Sequence, residues 1–232
     1  FIFVGSNQDV VQYIGTATLV EDLEGRLLLP GIHDVHQHPL EAGSAAGGDC
    51  ALDNQETDPE ELGLALEACE LKPNSNGWIT AAGHSIYTLY DAERNPKEIL
   101  DDYYPNSPVL VMEETSHSVW VNSKALEILG ITESTPDPVG GYIFRDDENQ
   151  ASGILMDNAG DAALSLAFAS NQTTDDLNYD GLVEYSLPLL ARNGITSICE
   201  GRTYWKRNYI EIWNKTGFLA RFFVPLLIMS LL

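Results

Sequence analysis

Two histidines separated by one residue, His36 and His38, follow an aspartate in the run Pro30-Gly31-Ile32-His33-Asp34-Val35-His36-Gln37-His38. The apolar triplet Leu27-Leu28-Leu29 leads into it, and the pattern predicts a strand over 27–36. Successive side chains on a strand point to opposite faces, which turns His36 and His38 the same way. Two imidazoles on one face can grip a divalent cation from one side. A cation held there can lower the pKa of bound water to about 7 and make hydroxide available at neutral pH. A His-x-His pair alone also arises by chance as surface histidines. The apolar strand, the Pro-Gly and the aspartate weigh toward a metal, with zinc the ion of choice. Asp34 is expected to support the histidines by hydrogen bonding, since its side chain lies one step deeper on their face.

The segment from Leu29 to His38 resembles the opening strand of the amidohydrolase superfamily, Pro-Gly-hydrophobic-hydrophobic-Asp-x-His-x-His. It departs from that pattern at His33, where an apolar residue is usual. Three later segments are similar to amidohydrolase family 3. They are His117-Ser118-Val119-Trp120-Val121-Asn122-Ser123-Lys124-Ala125-Leu126, Gly153-Ile154-Leu155-Met156-Asp157-Asn158-Ala159 and Asn193-Gly194-Ile195-Thr196-Ser197. The resemblance implies an α/β fold, a partial TIM (β/α)8 barrel of about the first five strands. Residues 1–28 would be the remnant of a small β-domain and 29–232 the first half of the barrel. It implies a metal-dependent hydrolase of carbon–nitrogen bonds other than peptide bonds, acting on a small amide-type substrate. Ester or lactone hydrolysis, isomerisation on the same barrel, and a non-catalytic binding relative remain alternatives.

Barrel active sites lie at the C-terminal ends of strands, which selects the other candidates. His84 ends the second expected strand and serves equally as a substrate contact or a loop cap. His117 lies just past the third, and the resemblance turns it toward the pocket as a contact for substrate or transition state. Glu200 ends the fourth, and the resemblance, which places a metal-bridging lysine, glutamate or cysteine in this region, makes it a candidate bridging metal ligand beside His36 and His38. Asp157 is the alternative catalytic carboxylate, set against capping of a helix expected to start there. The resemblance places further ligand histidines on strands five and six and a base carboxylate on strand eight. No histidine follows His117, so the chain is expected to be a piece of a longer protein, inactive alone.

Around these residues, strands alternate with helices, the pattern of a parallel sheet. Strands are expected at 27–36, 78–82, 109–112, 195–199 and 220–229. Helices are expected from Pro59 behind Asp58, near Pro96, over 122–129 closed by Gly130, and at 157–169, 177–192 and 204–215. A hairpin is expected at 145–149, and short strands with turns before residue 28.

Lys and Arg number 12 against 35 Asp and Glu, a formal charge of −23 and a pI near 4.2. Nucleic acid and anionic membranes are poor partners for that surface. Adaptation to salty surroundings and ordinary acidity both fit. The apolar stretch 218–232 is shorter than the roughly 20 residues of a spanning helix and suits a buried strand. Cys50, Cys69 and Cys199 cannot all pair and contain no Cys-x-x-Cys, so no disulfide framework is expected. Partners reduce to a small-molecule substrate; neither compartment nor oligomeric state is fixed.

Overall fold

The computed structural model describes residues 2–43, 50–52, 58–90, 92–203 and 207–217. The chain divides into two units, Phe1–Gly31 and Ile32–Leu232. In the first unit the expected short strands do not form among the described residues. The Ser6 side chain instead accepts from the Asp9 amide and caps the helical turn Asn7–Val10, which runs into the 3₁₀ turn Val11–Tyr13. A strand needs a partner for its backbone groups, and the apolar Leu27, Leu28 and Leu29 remain largely exposed.

The second unit contains β1 (Ile32–Gln37), β2 (Ile79–His84), β3 (Val109–Glu113), β4 (Ser118–Val121), β5 (Gly141–Arg145), β6 (Ala151–Asp157) and β7 (Ile195–Glu200). They form two sheets. One is the parallel pair β1–β7; the other has the order β2-β3-β4-β6-β5, in which β2–β3 is parallel and the remaining pairs are antiparallel.

Alternation along the strands explains why the larger sheet is covered on both faces. Leu110, Met112, Val119, Val121 and Leu155 point to one side, with the helices Ser123–Leu129 and Asp161–Ala167. Val109, Val111, Trp120 and Ile154 point to the other, with the helices Pro59–Ala68 and Pro96–Tyr103. Several local expectations match these elements. Asp58 and Asn122 cap their helices, Gly130 closes the second in a left-handed conformation (φ 67), and β5–β6 form the hairpin around 145–149. The helical run 172–192 is continuous in sequence but passes through a π-helical segment, Gly181–Ser186.

Three expectations are corrected. The strands at 32–37, 79–84, 109–113 and 195–200 do not form one continuous parallel sheet. The edge of β2 facing away from β3 is occupied by residues 50–52: the Leu52 amide donates to Ala82 O at 2.7 Å and the Ala82 amide to Cys50 O at 3.2 Å. With those groups taken, β1 pairs with β7, and the Ile32 amide donates to Gly194 O. The strand β4 has no counterpart among the expected elements, and β6, the second arm of the expected hairpin, runs on to Asp157, where a helix start is expected. Cys50 and Cys69 are joined by a disulfide and Cys199 is free; an odd cysteine count does not prevent one pair. The strand expected at 220–229 lies outside the described residues, as does the start of the helix expected at 204–215, of which Tyr209–Lys215 is seen. No helix among the described residues is long and apolar enough to cross a membrane.

Candidate functional site

Parallel pairing of β1 with β7 places Gln37 opposite Glu200. The C-terminal ends of the two strands therefore meet, bringing Glu200 to His36 and His38 from 162 residues beyond His38. The His36 and His38 rings lie edge to face with centroids 5.0 Å apart. Both crowd the α-carbon of Gly201: a β-carbon there would stand 2.8 Å from His36 Cε1 and 2.9 Å from His38 Cε1. Glycine at 201 is what lets the two imidazoles close over the end of β7. Asp34 does not reach across. Its carboxylate accepts from the His36 amide at 3.0 Å and from the Gln37 side chain, both on its own strand, and these bonds hold it below the usual carboxylate range. His33, the departure from the superfamily pattern, sits 2.7 Å from Ser197 Oγ and ties β1 to β7.

Glu200 is the buried member. Its Oε1 lies 3.4 Å from His38 Nδ1 and accepts from the Arg202 amide at 3.1 Å. Burial pushes its carboxyl up to about 7, and the neighbouring Glu41 adds to the rise. Its second oxygen, Oε2, is buried with no hydrogen bond of good geometry, while the Leu40 amide and the Trp213 side chain stand near enough to the carboxyl to offset part of that rise. Desolvation lowers the His38 pKa, assisted by the Arg202 charge and opposed by Glu41. The imidazole is thereby kept neutral, the form that donates a lone pair to a metal.

The second pair of candidates is also brought together. His117 Nδ1 and Asp157 Oδ1 are 2.9 Å apart. A carboxylate only accepts, so the ring donates through Nδ1, leaving Nε2 as its acceptor. Asp157 does not cap a helix: it ends β6 with φ 48, and the helix Asp161–Ala167 starts behind Gly160. Ser116, just before His117, is likewise at positive φ, 61. Non-glycine residues in this region store strain that the surrounding structure must hold in place. Both side chains line a cleft of about 220 Å³ with Ser118, Asn158, Asp161 and Arg202. Arg202 belongs to the stretch after β7, two residues beyond Glu200, so the cleft reaches toward the histidine end of β1.

His84 stands apart from the cleft. It is 1 % exposed, its Nδ1 has no partner, and burial pushes its pKa down to about 4 against the pull of Glu113. It packs on Trp120 with ring centroids 5.7 Å apart, a neutral core histidine. Gly201, Arg202 and Glu113 were missed in sequence. A glycine directly after a strand-ending glutamate was the available sign for the first; nothing local marks the other two.

The donor chemistry of His36, His38 and Glu200 suits a divalent cation: two imidazoles, that of His38 kept neutral by burial, and a buried carboxylate. Among the described residues, however, no three His, Cys, Asp or Glu side chains are gathered closely enough to hold a metal as they stand. His38 and Glu200 face each other across 3.4 Å instead.

A model of the Amidohydrolase family matches residues 19–216. The chain is 30% identical over 162 residues to the putative amidohydrolase YtcJ of Bacillus subtilis (strain 168), covering 69% of this chain and 30% of that one. It is 28% identical to the exoenzymes regulatory protein AepA of Pectobacterium carotovorum subsp. carotovorum, covering 68% and 35%. It is 30% identical to the N-substituted formamide deformylase of Arthrobacter pascens, covering 67% and 29%. The chain thus spans about a third of the length of these curated relatives. Among solved structures, an uncharacterized metal-dependent hydrolase from Pyrococcus horikoshii OT3 aligns with TM-score 0.50 and 17% identity, covering 84% of this chain and 35% of that one. At that identity the likeness concerns the fold.

Proposed function

This chain belongs to the amidohydrolase family, and we propose that it supplies the metal-binding strand and part of the substrate cleft of a metal-dependent hydrolase acting on a carbon–nitrogen bond other than a peptide bond. The parallel pairs β1–β7 and β2–β3 are read as staves of a (β/α)8 barrel, with the site at their C-terminal ends. One observation carries the reading: His36, His38 and Glu200 converge at the end of β1–β7, over a glycine that leaves room for both rings.

A divalent cation at these residues, zinc by the donor set, would polarise a carbonyl and acidify a water. The rest of the chemistry falls to the chain. His38 stays neutral through burial and offers a lone pair. Glu200, with its carboxyl pushed up to about 7 by burial, would hold a cation as the carboxylate. Asp157 fixes the His117 ring with its proton on Nδ1, so Nε2 accepts a hydrogen bond or a proton from the substrate side. The cleft lined by His117, Asp157 and Arg202 suits a small molecule. The deformylase name of the Arthrobacter relative is the precedent for a carbon–nitrogen bond.

The test uses a protein of the relatives' length, assayed on matched panels of N-substituted amides and of esters with zinc supplied. Turnover of amides that is lost in His36→Ala and His38→Ala supports the reading. Turnover of esters alone replaces the carbon–nitrogen assignment. Turnover of neither, with zinc bound, leaves a binding relative.

A further inference from the structure

We infer that Glu113 is a positioning residue for His117, acting through the loop that joins β3 to β4. The inference rests on the reading of His117 as a substrate-facing group. Glu113 ends β3 and is 4 % exposed. A buried carboxylate needs donors, because desolvating it unpaired is costly. Among the described residues, its donors come from the four residues that follow it. The Thr115 amide donates to Oε1 at 3.0 Å, the Thr115 hydroxyl to Oε2 at 2.6 Å, and the His117 amide to Oε2 at 3.4 Å. The Ser116 amide donates to the Glu113 carbonyl at 2.9 Å, and Ser116 takes the positive φ that lets the loop curl back. The Glu114 amide donates to His84 O, tying the start of the loop to β2.

The loop is therefore wrapped around one carboxylate, and His117 is where it comes out. From there the Asp157 amide donates to His117 O at 2.7 Å, and the ring donates to Asp157 Oδ1. Glu113 fixes the residue from the β3 side and Asp157 from the β6 side. Neutral His84 nearby brings no charge to Glu113, so the loop's own donors are what satisfy it. A carboxylate can accept at both oxygens; an amide in its place can accept at only one. Glu113→Gln thus sets an NH2 group against either the Thr115 or the His117 amide, a donor facing a donor.

Nitrogen NMR of the histidine side chains reads this in the 232-residue chain. His117 is assigned by its loss in His117→Gln. The chain should show His117 as a single tautomer with the proton on Nδ1. Asp157→Asn gives the reference for a released ring. Glu113→Gln, folded by circular dichroism, should lose the single tautomer and move both ring nitrogens toward the Asp157→Asn positions. A folded Glu113→Gln with His117 unchanged overturns the inference. If that variant does not fold, Thr115→Val decides: it removes only the hydroxyl donor at an exposed position. A shift of the same sign supports the inference, and an unchanged ring overturns it. Failure of a full-length protein to hydrolyse amides would sink the proposed function without touching this result.

Discussion

Asp157 holds His117 at two points: its amide donates to the His117 carbonyl at 2.7 Å, and its carboxylate accepts from the ring at 2.9 Å. The backbone bond fixes where His117 sits, and the ring cannot turn without breaking its bond to the Asp157 carboxylate. Asp157 adopts a left-handed conformation to do this. A residue that only terminated a strand would have no need of that strain.

The first prediction follows from that lock. In a protein of the relatives' length, Asp157→Asn should lower kcat/KM by roughly 100-fold, the lower end of what a positioned acid–base group contributes. Metal content should not change, because Asp157 is not among the proposed ligands. Elemental analysis beside the kinetics separates the two effects. An unchanged rate would remove the pair from the chemistry.

Gly201→Ala should act on the other half of the site. The added methyl would meet both imidazoles below 3 Å, so the rings must part. Overpacking of this kind costs about 1–3 kcal/mol, visible as a lower denaturation midpoint. Zinc affinity should fall with it. A variant with wild-type stability and affinity would show that the rings do not need the space at Gly201.

His84 predicts an acid limb of stability. Its folded pKa, about 4, lies below the ordinary value of about 6.5. Between those values the unfolded chain binds a proton that the folded chain refuses, so stability is present above pH 6.5 and is lost as pH falls toward 4. A 2.5-unit difference corresponds to about 3 kcal/mol. Urea midpoints from pH 7 to 4.5 should fall steeply in the native chain and less in His84→Phe, which keeps the packing on Trp120. Equal slopes would contradict the buried, neutral assignment.

Sequence alone carried some of this and not the rest, for identifiable reasons. Strand alternation, a local rule, leads one to expect His36 and His38 together, and their rings do meet, but β1 ends at Gln37 after an irregularity past Asp34, and His38 stands at the start of the helical turn Pro39–Ala42. Caps at Asp58 and Asn122 and the glycine stop at 130 are local as well. The pairing of β1 with β7 is not local. It depends on residues 50–52 taking the edge of β2, and no periodicity in 27–36 records that. Asp157 stays open between catalysis and helix capping in the sequence for a related reason. An aspartate before an apolar helical stretch reads as a cap, and only the His117 ring, 40 residues away, shows otherwise. Glu113 sits in an acidic pair with Glu114, which suggests a solvated turn. Its burial appears only once the loop closes on it.

The disulfide gives a fourth prediction. Cys50 and Cys69 close a loop of 19 residues' separation, for which chain-entropy arguments give roughly 3 kcal/mol. Without reductant, maleimide should label Cys199 alone; with reductant it should label all three, and thermal stability should drop. Labelling of three thiols in the untreated chain would refute the bond.

The central claim is that His36, His38 and Glu200 form a cation site, and equilibrium zinc titration of the 232-residue chain tests it most directly. With few protein ligands in place, the native chain should bind one zinc weakly enough for a chelator to strip it readily. His36→Ala, His38→Ala and Glu200→Gln should each weaken binding by at least about tenfold, without loss of fold. Equal zinc affinity in the native chain and all three variants would place any bound metal elsewhere and contradict the account.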